Sequence, residues 1–295
     1  MAKIISLTGD LGSGKSTVSN LLLKQLNYDY IYTGKIQREI ARKYNMTTLE
    51  LNKYSETHPE IDEEIDSTFK SLNDSTDLIV DSRLAWFFVP KSFKIFLKTN
   101  LIVSANRISA DGKRDTEKHS SIEDTVNQII ARKASENKRY MELYGANCSD
   151  LSNFNLIIDT SFISPERVAE IILAEYNSWL VSGKCSNAFI SPVNLYPTQS
   201  IYGFENDEYF KNIQNRMKIN GYNPDFPVTV VNIHSFDYIL DGHKRTSCAI
   251  KNNIDLIPVV YQDSDKEEIL TIEPDLFSEW EEFNSFKYLM YPIKK

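Results

Sequence analysis

Short apolar runs alternate with amphipathic stretches along the first half of the chain. The runs have the length and composition of buried β-strands, and the stretches between them carry apolar residues at helical spacing. This alternation predicts an α/β fold, in which a parallel sheet has helices on both faces. The predicted strands are residues 3–8, 77–80, 93–98 and 155–158.

The pattern changes after a helix-like stretch at residues 165–180. Ser182, Gly183, Ser191 and Pro192 interrupt the periodicity and predict a short linker, so we expect a first domain at 1–182 and a second at 183–295. The second domain is predicted to be a smaller α+β unit with a last helical segment at 267–295, which packs on that domain or forms a dimer contact. Its other predicted elements are helices at 206–219 and 246–251 and strands at 227–233, 238–240 and 256–261.

Composition narrows the class of ligand. The 295 residues are 41% hydrophobic, enough for a sizeable core, and the formal net charge is −8. Such an acidic chain does not favour a broad nucleic-acid surface, but it permits a local basic pocket for small phosphates. We therefore expect a small anionic ligand as partner and no nucleic acid.

The chain has three cysteines, an odd number without the spacing of a zinc site or a disulfide framework. No signal peptide precedes the first predicted strand, and no apolar run reaches membrane-spanning length. We expect a cytoplasmic protein without a membrane partner, either a monomer or a homodimer.

A glycine-rich loop stands between the first predicted strand and the first predicted helix. Its spacing is that of a phosphate-binding P-loop, in which backbone N–H groups and the helix N-terminus surround phosphate oxygens. Lys15 supplies a charge for the β and γ phosphates, and Ser16 offers a hydroxyl to Mg²⁺. We predict an ATP and Mg²⁺ site at Gly9, Gly12, Ser13, Gly14, Lys15, Ser16 and Thr17.

Other chemistry-bearing residues follow neighbouring predicted strands. Thr33 and Gly34 come after the segment at 30–32, and Asp81 comes after the strand at 77–80. Ligands of parallel sheets gather at the carboxyl ends of the strands, so these residues should face the P-loop. Asp81 either orders Mg²⁺ or its waters, or caps the following turn.

Four further stretches occur in a recognisable order: 32–39, 54–66, 81–85 and 132–145. Together with the P-loop they resemble the archaeal-type cytidylate kinases, which are P-loop nucleoside monophosphate kinases. The resemblance runs from about residue 3 to 174. It implies ATP-dependent transfer of the γ-phosphoryl group to CMP or dCMP.

The resemblance also implies roles for individual residues. Arg38 would grip the acceptor phosphate, Arg83 would be a second acceptor-site cation, and Thr33 and Gly34 would lie beside them. His58 would contact the acceptor base. Arg132 and Arg139 would lie on a lid helix that closes over the transferring group and, with Lys15, would be catalytic.

Each role has a plainer alternative. Arg132 and Arg139 lie in a charged stretch that resembles a solvated helix face, and Arg38 could pair with Glu39. His58 precedes a proline and acidic residues, a pattern that starts a helix.

Two positions depart from the family pattern and leave the acceptor open. Trp86 replaces a glycine beside the expected acceptor pocket, and Gln37 stands where an aromatic residue is common. Such changes alter pocket volume and hydrogen bonding, which decide the accepted substrate. Kinase chemistry is thus the firmer expectation, and another small-molecule acceptor in a specialised biosynthetic route is the alternative.

The second domain has its own motif. Residues 238–250, with 194–198 upstream, resemble the ParB/sulfiredoxin superfamily, which includes nucleotide-binding modules, sulfinic-acid reductases and free-serine kinases. The expected loop has no cysteine, which argues against a reductase. We predict a phosphate or nucleotide site at a helix N-terminus, or else a tight turn with a charged cap; its residues are Asp241, Gly242, His243, Lys244 and Arg245.

The leading hypothesis is therefore a cytidylate-type kinase fused to a second module that binds a phosphorylated small molecule. That second module could itself be a kinase or a substrate-binding unit. A regulatory protein that senses nucleotides at both sites is the alternative from another class.

Overall fold

The computed structural model describes residues 3–47, 50–51, 54, 58–71, 76–110, 121–185, 187–201, 203–233 and 235–262. The chain divides into two compact units that interleave along the sequence. The first takes residues 1–97, 134–156 and 164–186, and the second takes 98–133, 157–163 and 187–295. The helix expected at 267–295 lies outside the described residues.

Strands and helices alternate along most of the first half of the chain, as the sequence predicts. The strands are β1 (Ile4–Gly9), β2 (Asp29–Tyr32), β3 (Leu78–Asp81), β4 (Phe93–Lys98), β5 (Leu156–Asp159), β6 (Asn187–Ile190), β7 (Leu195–Tyr196), β8 (Val228–Ile233), β9 (Phe236–Asp241) and β10 (Ile257–Tyr261). The helices are α1 (Lys15–Gln25), α2 (Thr33–Lys43), α3 (Pro59–Ser71), α4 (Ala85–Phe88), α5 (Leu101–Ala110), α6 (Ile122–Tyr144), α7 (Pro165–Ser182), α8 (Glu208–Asn220) and α9 (His243–Lys251).

The first unit contains a parallel sheet in the strand order β2-β3-β1-β4. β1 lies between β3 and β4, so that Ser6 pairs with Val80 on one side and with Lys94 on the other. Every residue of β1 is buried, which is typical of a strand inside a parallel sheet and fits its lack of charged residues. The α/β class and the parallel sheet expected from the sequence are confirmed.

Helix α7 is the last helix of the first unit and has typical capping residues at both ends. Ser164 accepts a hydrogen bond from the backbone N–H of Arg167 at 3.2 Å, and Pro165 occupies the first turn. Gly183 ends the helix in the left-handed region, with φ of 68°. The helix predicted at 165–180 is confirmed, and the domain bounds 1–182 and 183–295 stay a prediction.

The second unit contains a mixed sheet in the order β5-β6-β10-β8-β9-β7. β8 and β9 form an antiparallel pair, β10 runs parallel to β8, and β6 runs antiparallel to β10. Helices α8 and α9 pack together, and the Asn252 side chain donates to the Gln214 carbonyl at 3.1 Å. The helices and strands predicted between residues 206 and 261 are confirmed, with α9 beginning three residues earlier than expected. Within the described ranges, no helix combines the length and apolar character that crossing a membrane requires.

Candidate active site

The loop between β1 and α1 has the backbone that a P-loop needs. Gly12 and Gly14 have φ of 74° and 82°, which favours glycine, and Gly14 precedes the first helical residue. Gly9 packs against β4: a Cβ there would lie 2.3 Å from the Leu97 carbonyl oxygen. Ser16 and Thr17 are exposed in the first turn of α1. The loop therefore presents the helix N-terminus and its hydroxyls at the carboxyl end of the central strand.

Lys15 folds back onto this loop. Its Nζ donates to the carbonyl oxygens of Gly9 at 3.2 Å and Asp10 at 3.3 Å. Burial, and secondly the charge of Arg83, lowers the Lys15 pKa to about 8. The ammonium is thus held in an environment that an incoming anion would stabilise.

Asp81 lies at the carboxyl end of β3, opposite Leu7 of β1. Tyr30 donates a hydrogen bond from its hydroxyl to Asp81 Oδ2 at 3.2 Å. Burial raises the pKa of the Asp81 carboxyl, and the Lys15 charge opposes this shift. The expectation that the ends of β1 and β3 bring their polar residues together is confirmed.

Arg83 connects the P-loop to the helix predicted to be the lid. Its Nη1 donates to the Gly9 carbonyl, the oxygen that also accepts from Lys15. Its Nε lies 3.2 Å from Glu136 Oε2 on α6. Two cations therefore converge on one backbone oxygen at the phosphate-binding loop.

Arg38 lies on α2 against an aromatic pair. Its Nη2 donates to the Tyr32 hydroxyl, and its guanidinium carbon is 5.2 Å from the centroid of that ring. Tyr32 in turn stacks on Tyr30, with ring centroids 5.2 Å apart. Thr33 and Gly34 form the first turn of α2 beside this pair. The arginine expected to grip the acceptor phosphate is thus linked through two tyrosines to Asp81.

His58 immediately precedes α3, and its carbonyl accepts from the Ile61 N–H at 3.1 Å. Its ring stacks on Tyr54 with a centroid distance of 3.5 Å, and Nδ1 is 2.9 Å from the Tyr54 carbonyl oxygen. These contacts support the helix-start interpretation. Contact with an acceptor base stays a prediction.

Arg132 and Arg139 both lie on α6, seven residues apart and therefore on the same face. The Arg139 guanidinium carbon is 5.3 Å from the Tyr140 ring centroid. Burial, and secondly the charge of Glu136, raises the Tyr140 pKa. The helical spacing is as expected, and the lid role of both arginines stays a prediction.

The residues expected to bind Mg²⁺ supply oxygen donors. Ser16 is exposed at the helix start, and Asp81 is half-buried at the end of β3. Mg²⁺ prefers such donors together with phosphate oxygens and water. Across the described parts of the chain, no group of three or more His, Cys, Asp or Glu side chains is arranged to hold a metal ion. The residues fit an ion that enters with the nucleotide.

Trp86, which the sequence places beside the expected acceptor pocket, is buried in the first unit. The residue is only 6% exposed and packs against Phe87 and Phe154, with both centroid distances 5.7 Å. Helix α4 places the indole in the core, where the indole is part of an aromatic cluster. Its effect on the choice of acceptor stays a prediction.

The predicted second site lies in the turn from β9 into α9, where Gly242 has φ of 108°. His243 is 5% exposed, and its Nε2 accepts from the Thr198 backbone N–H at 3.0 Å. Burial lowers its pKa to about 4, so the ring is neutral at pH 7. This geometry does not suit a general base, because the hydrogen bond occupies the basic nitrogen.

The two cations of that turn are held by partners within the second unit. Lys244 pairs with Asp207, and Arg245 pairs with Asp241. Arg245 also donates to the carbonyl oxygens of Phe226 and Pro227, each at 2.7 Å. Any anion at this turn must compete with these contacts, and the site stays a prediction.

Sequence reasoning missed Tyr30, Tyr32 and Glu136 as parts of the first site. The two tyrosines are two residues apart on β2, and side chains at that spacing point to the same face of a strand. The sequence could therefore have indicated that they lie together. Glu136 follows Arg132 by four residues and precedes Arg139 by three, so helical spacing places it on their face. That spacing alone does not reveal its partner Arg83.

A parallel sheet whose strand β1 ends in a P-loop, with Lys15 and Arg83 on the loop, is typical of P-loop proteins that bind a nucleoside triphosphate. A family model described as an AAA domain matches residues 5–130. Proteins named cytidylate kinase from Sulfolobus acidocaldarius, Pyrococcus abyssi and Sulfurisphaera tokodaii are 38%, 36% and 36% identical to this chain. The matches cover 57%, 58% and 60% of this chain and 91%, 92% and 97% of those proteins.

The chain belongs to the cytidylate kinase family. It is a phosphotransferase of the nucleoside monophosphate kinase type.

Proposed function

We propose that this protein transfers the γ-phosphoryl group of ATP to CMP or dCMP with the help of Mg²⁺. The observation that carries the proposal is the convergence of Lys15 and Arg83 on the Gly9 carbonyl. It occurs in a chain 38% identical to a protein named cytidylate kinase. The two cations would lie beside the phosphates of the donor and the acceptor.

In the proposed reaction an oxygen of the acceptor phosphate attacks the γ-phosphorus of ATP. The bond from that phosphorus to the β–γ bridging oxygen breaks, ADP leaves, and the monophosphate becomes a diphosphate. Lys15 and the P-loop amides hold the donor, and Arg38 and Arg83 hold the acceptor. Arg132 and Arg139 would close over the transferring group and exclude water.

Ser16 and Asp81 would hold Mg²⁺ or its waters, and the ion would supply positive charge beside the phosphates. Tyr30 would orient the Asp81 carboxylate through the 3.2 Å hydrogen bond. All the residues to which the proposal gives a role lie between Gly9 in the P-loop and Tyr144 at the end of α6.

An acceptor panel tests the proposal. ADP release is measured with ATP, Mg²⁺ and each of CMP, dCMP, UMP, AMP, GMP and free serine, against ATP hydrolysis without acceptor. We expect CMP or dCMP to give the highest kcat/KM. If neither cytidine nucleotide raises ADP release while another acceptor does, the chain is a kinase of different specificity.

The same panel separates the alternatives. A kinase serving a specialised biosynthetic route would turn over an acceptor outside the cytidine nucleotides, which is favoured by the roughly 40% of the chain beyond the matched relatives. A nucleotide sensor would bind ATP without releasing ADP with any acceptor. The joint presence of Lys15, Arg38 and Arg83 favours catalysis over sensing.

We also propose that the second half contains a ParB/sulfiredoxin-like module that binds a phosphorylated small molecule at residues 241–245. The left-handed Gly242, the start of α9 and the adjacent lysine and arginine support this. The ligand would displace Asp207 from Lys244 and Asp241 from Arg245, partners that are both partly exposed.

Titration of CTP into a Lys15→Met variant, in which the first site is weakened, tests the second site. We expect Lys244→Ala in that background to weaken the remaining binding at least tenfold. Lys211→Ala, which removes an exposed lysine paired with Glu208, is the matched control. Identical isotherms for the two variants would exclude a phosphate role for Lys244.

A further inference from the structure

Glu136 lies on α6 and contacts Arg83, the arginine at the P-loop. Its Oε2 lies 3.2 Å from Arg83 Nε, and the two side chains are 21% and 25% exposed. A pair this shielded from water interacts more strongly than an exposed ion pair. The contact therefore restricts the conformations that the Arg83 side chain can adopt.

Arg83 is fixed at two points. Glu136 holds its Nε, and the Gly9 carbonyl holds its Nη1. A guanidinium has five N–H donors in a rigid plane, so two contacts fix its orientation and leave other donors for a phosphate. An arginine held in this way is preorganised for a phosphoryl group next to the P-loop.

The helix that carries Glu136 adds a second consequence. Arg139 follows Glu136 by three residues on α6, so both lie on one face of the helix. The Glu136–Arg83 contact thus links this face of α6 to the residue that holds the Gly9 carbonyl of the P-loop. Rotation of the helix by one residue would turn Arg139 away by about 100°.

We propose that Glu136 is a positioning residue for phosphoryl transfer, which orients Arg83 toward the acceptor phosphate and anchors the face of α6 that carries Arg139. The inference rests on the proposed function and extends it to a residue with no direct role in binding ATP or the acceptor. Because Glu136 acts through Arg83, its contribution depends on that arginine.

The test is a double-mutant cycle of Glu136→Gln and Arg83→Gln, read as kcat and KM for CMP and for ATP. Glutamine keeps the shape of glutamate and removes the charge. We expect Glu136→Gln to lower kcat about tenfold, with the KM for ATP changed less than twofold, because misplaced groups slow the transfer step. In the Arg83→Gln background, Glu136→Gln should change kcat by less than twofold.

Glu142→Gln is the matched control on the same helix, since Glu142 pairs with Lys138 at an exposed position. Circular dichroism and thermal midpoints establish that all variants are folded. Fully additive effects of the two substitutions, or an effect of Glu136→Gln no larger than that of Glu142→Gln, would overturn the role of Glu136. A wild type inactive toward every monophosphate would instead overturn the proposed function.

Discussion

Replacement of Lys15 by methionine is expected to lower kcat by about 100- to 1,000-fold, the loss typical of removing one preorganised group that stabilises transition-state charge. Lys15 already lies over the P-loop, with Nζ near the Gly9 and Asp10 carbonyls. Methionine fills a similar volume without charge. The measurement is ADP release under saturating ATP and acceptor, with a thermal midpoint to show that the fold is kept.

The pH dependence of binding gives an independent check on Lys15. Its pKa is lowered to about 8 in the free protein, and triphosphate oxygens favour the charged form and raise the pKa on binding. The affinity for a non-hydrolysable ATP analogue should therefore be steady below pH 8 and fall by up to tenfold per unit above it. In Lys15→Met this alkaline decline should vanish. An unchanged decline would show that another group titrates.

Replacement of Gly9 by alanine is expected to destabilise the first unit by about 1–3 kcal/mol, the usual cost of forcing an extra methyl into a packed site. The added Cβ would lie 2.3 Å from the Leu97 carbonyl oxygen, a backbone atom that cannot turn aside. Because β1 or β4 must shift, the carbonyl that holds Lys15 and Arg83 shifts as well. We expect a lower thermal midpoint and at least tenfold weaker ATP binding.

Gly34→Ala is the matched control for this prediction. A Cβ at Gly34 would meet the Tyr32 ring at 3.4 Å, an ordinary contact, and the position lies within α2. Alanine there should leave stability unchanged or raise it by about 0.5–1 kcal/mol. Equal thermal midpoints for the two variants would contradict the account of Gly9.

Sequence was most informative where local pattern decides structure. The spacing of Gly9, Gly12 and Gly14 predicts the P-loop backbone, because left-handed φ angles and close strand approach favour glycine. The strand at 93–98 was predicted at its observed bounds, since a run of apolar residues between turns leaves little choice of element.

Side-chain partners that are distant in sequence were not predictable. Trp86 lies in a short helix whose core-facing side depends on the packing of Phe154, so the sequence alone could not place its indole. His243 becomes a buried acceptor because Thr198 reaches it from 45 residues away. Glu136 and Arg83 are far apart in the sequence and come into contact only in the folded first unit.

Because the two units interleave along the sequence, the order of synthesis limits when the second unit can fold. Residues 98–133 belong to the second unit, whose remaining strands run to Tyr261. At roughly 5–20 residues per second, translation needs on the order of ten seconds to deliver those strands. Helix α5 therefore emerges from the ribosome well before its unit can be completed, and nascent chains stalled in this interval should be the most accessible to chaperones.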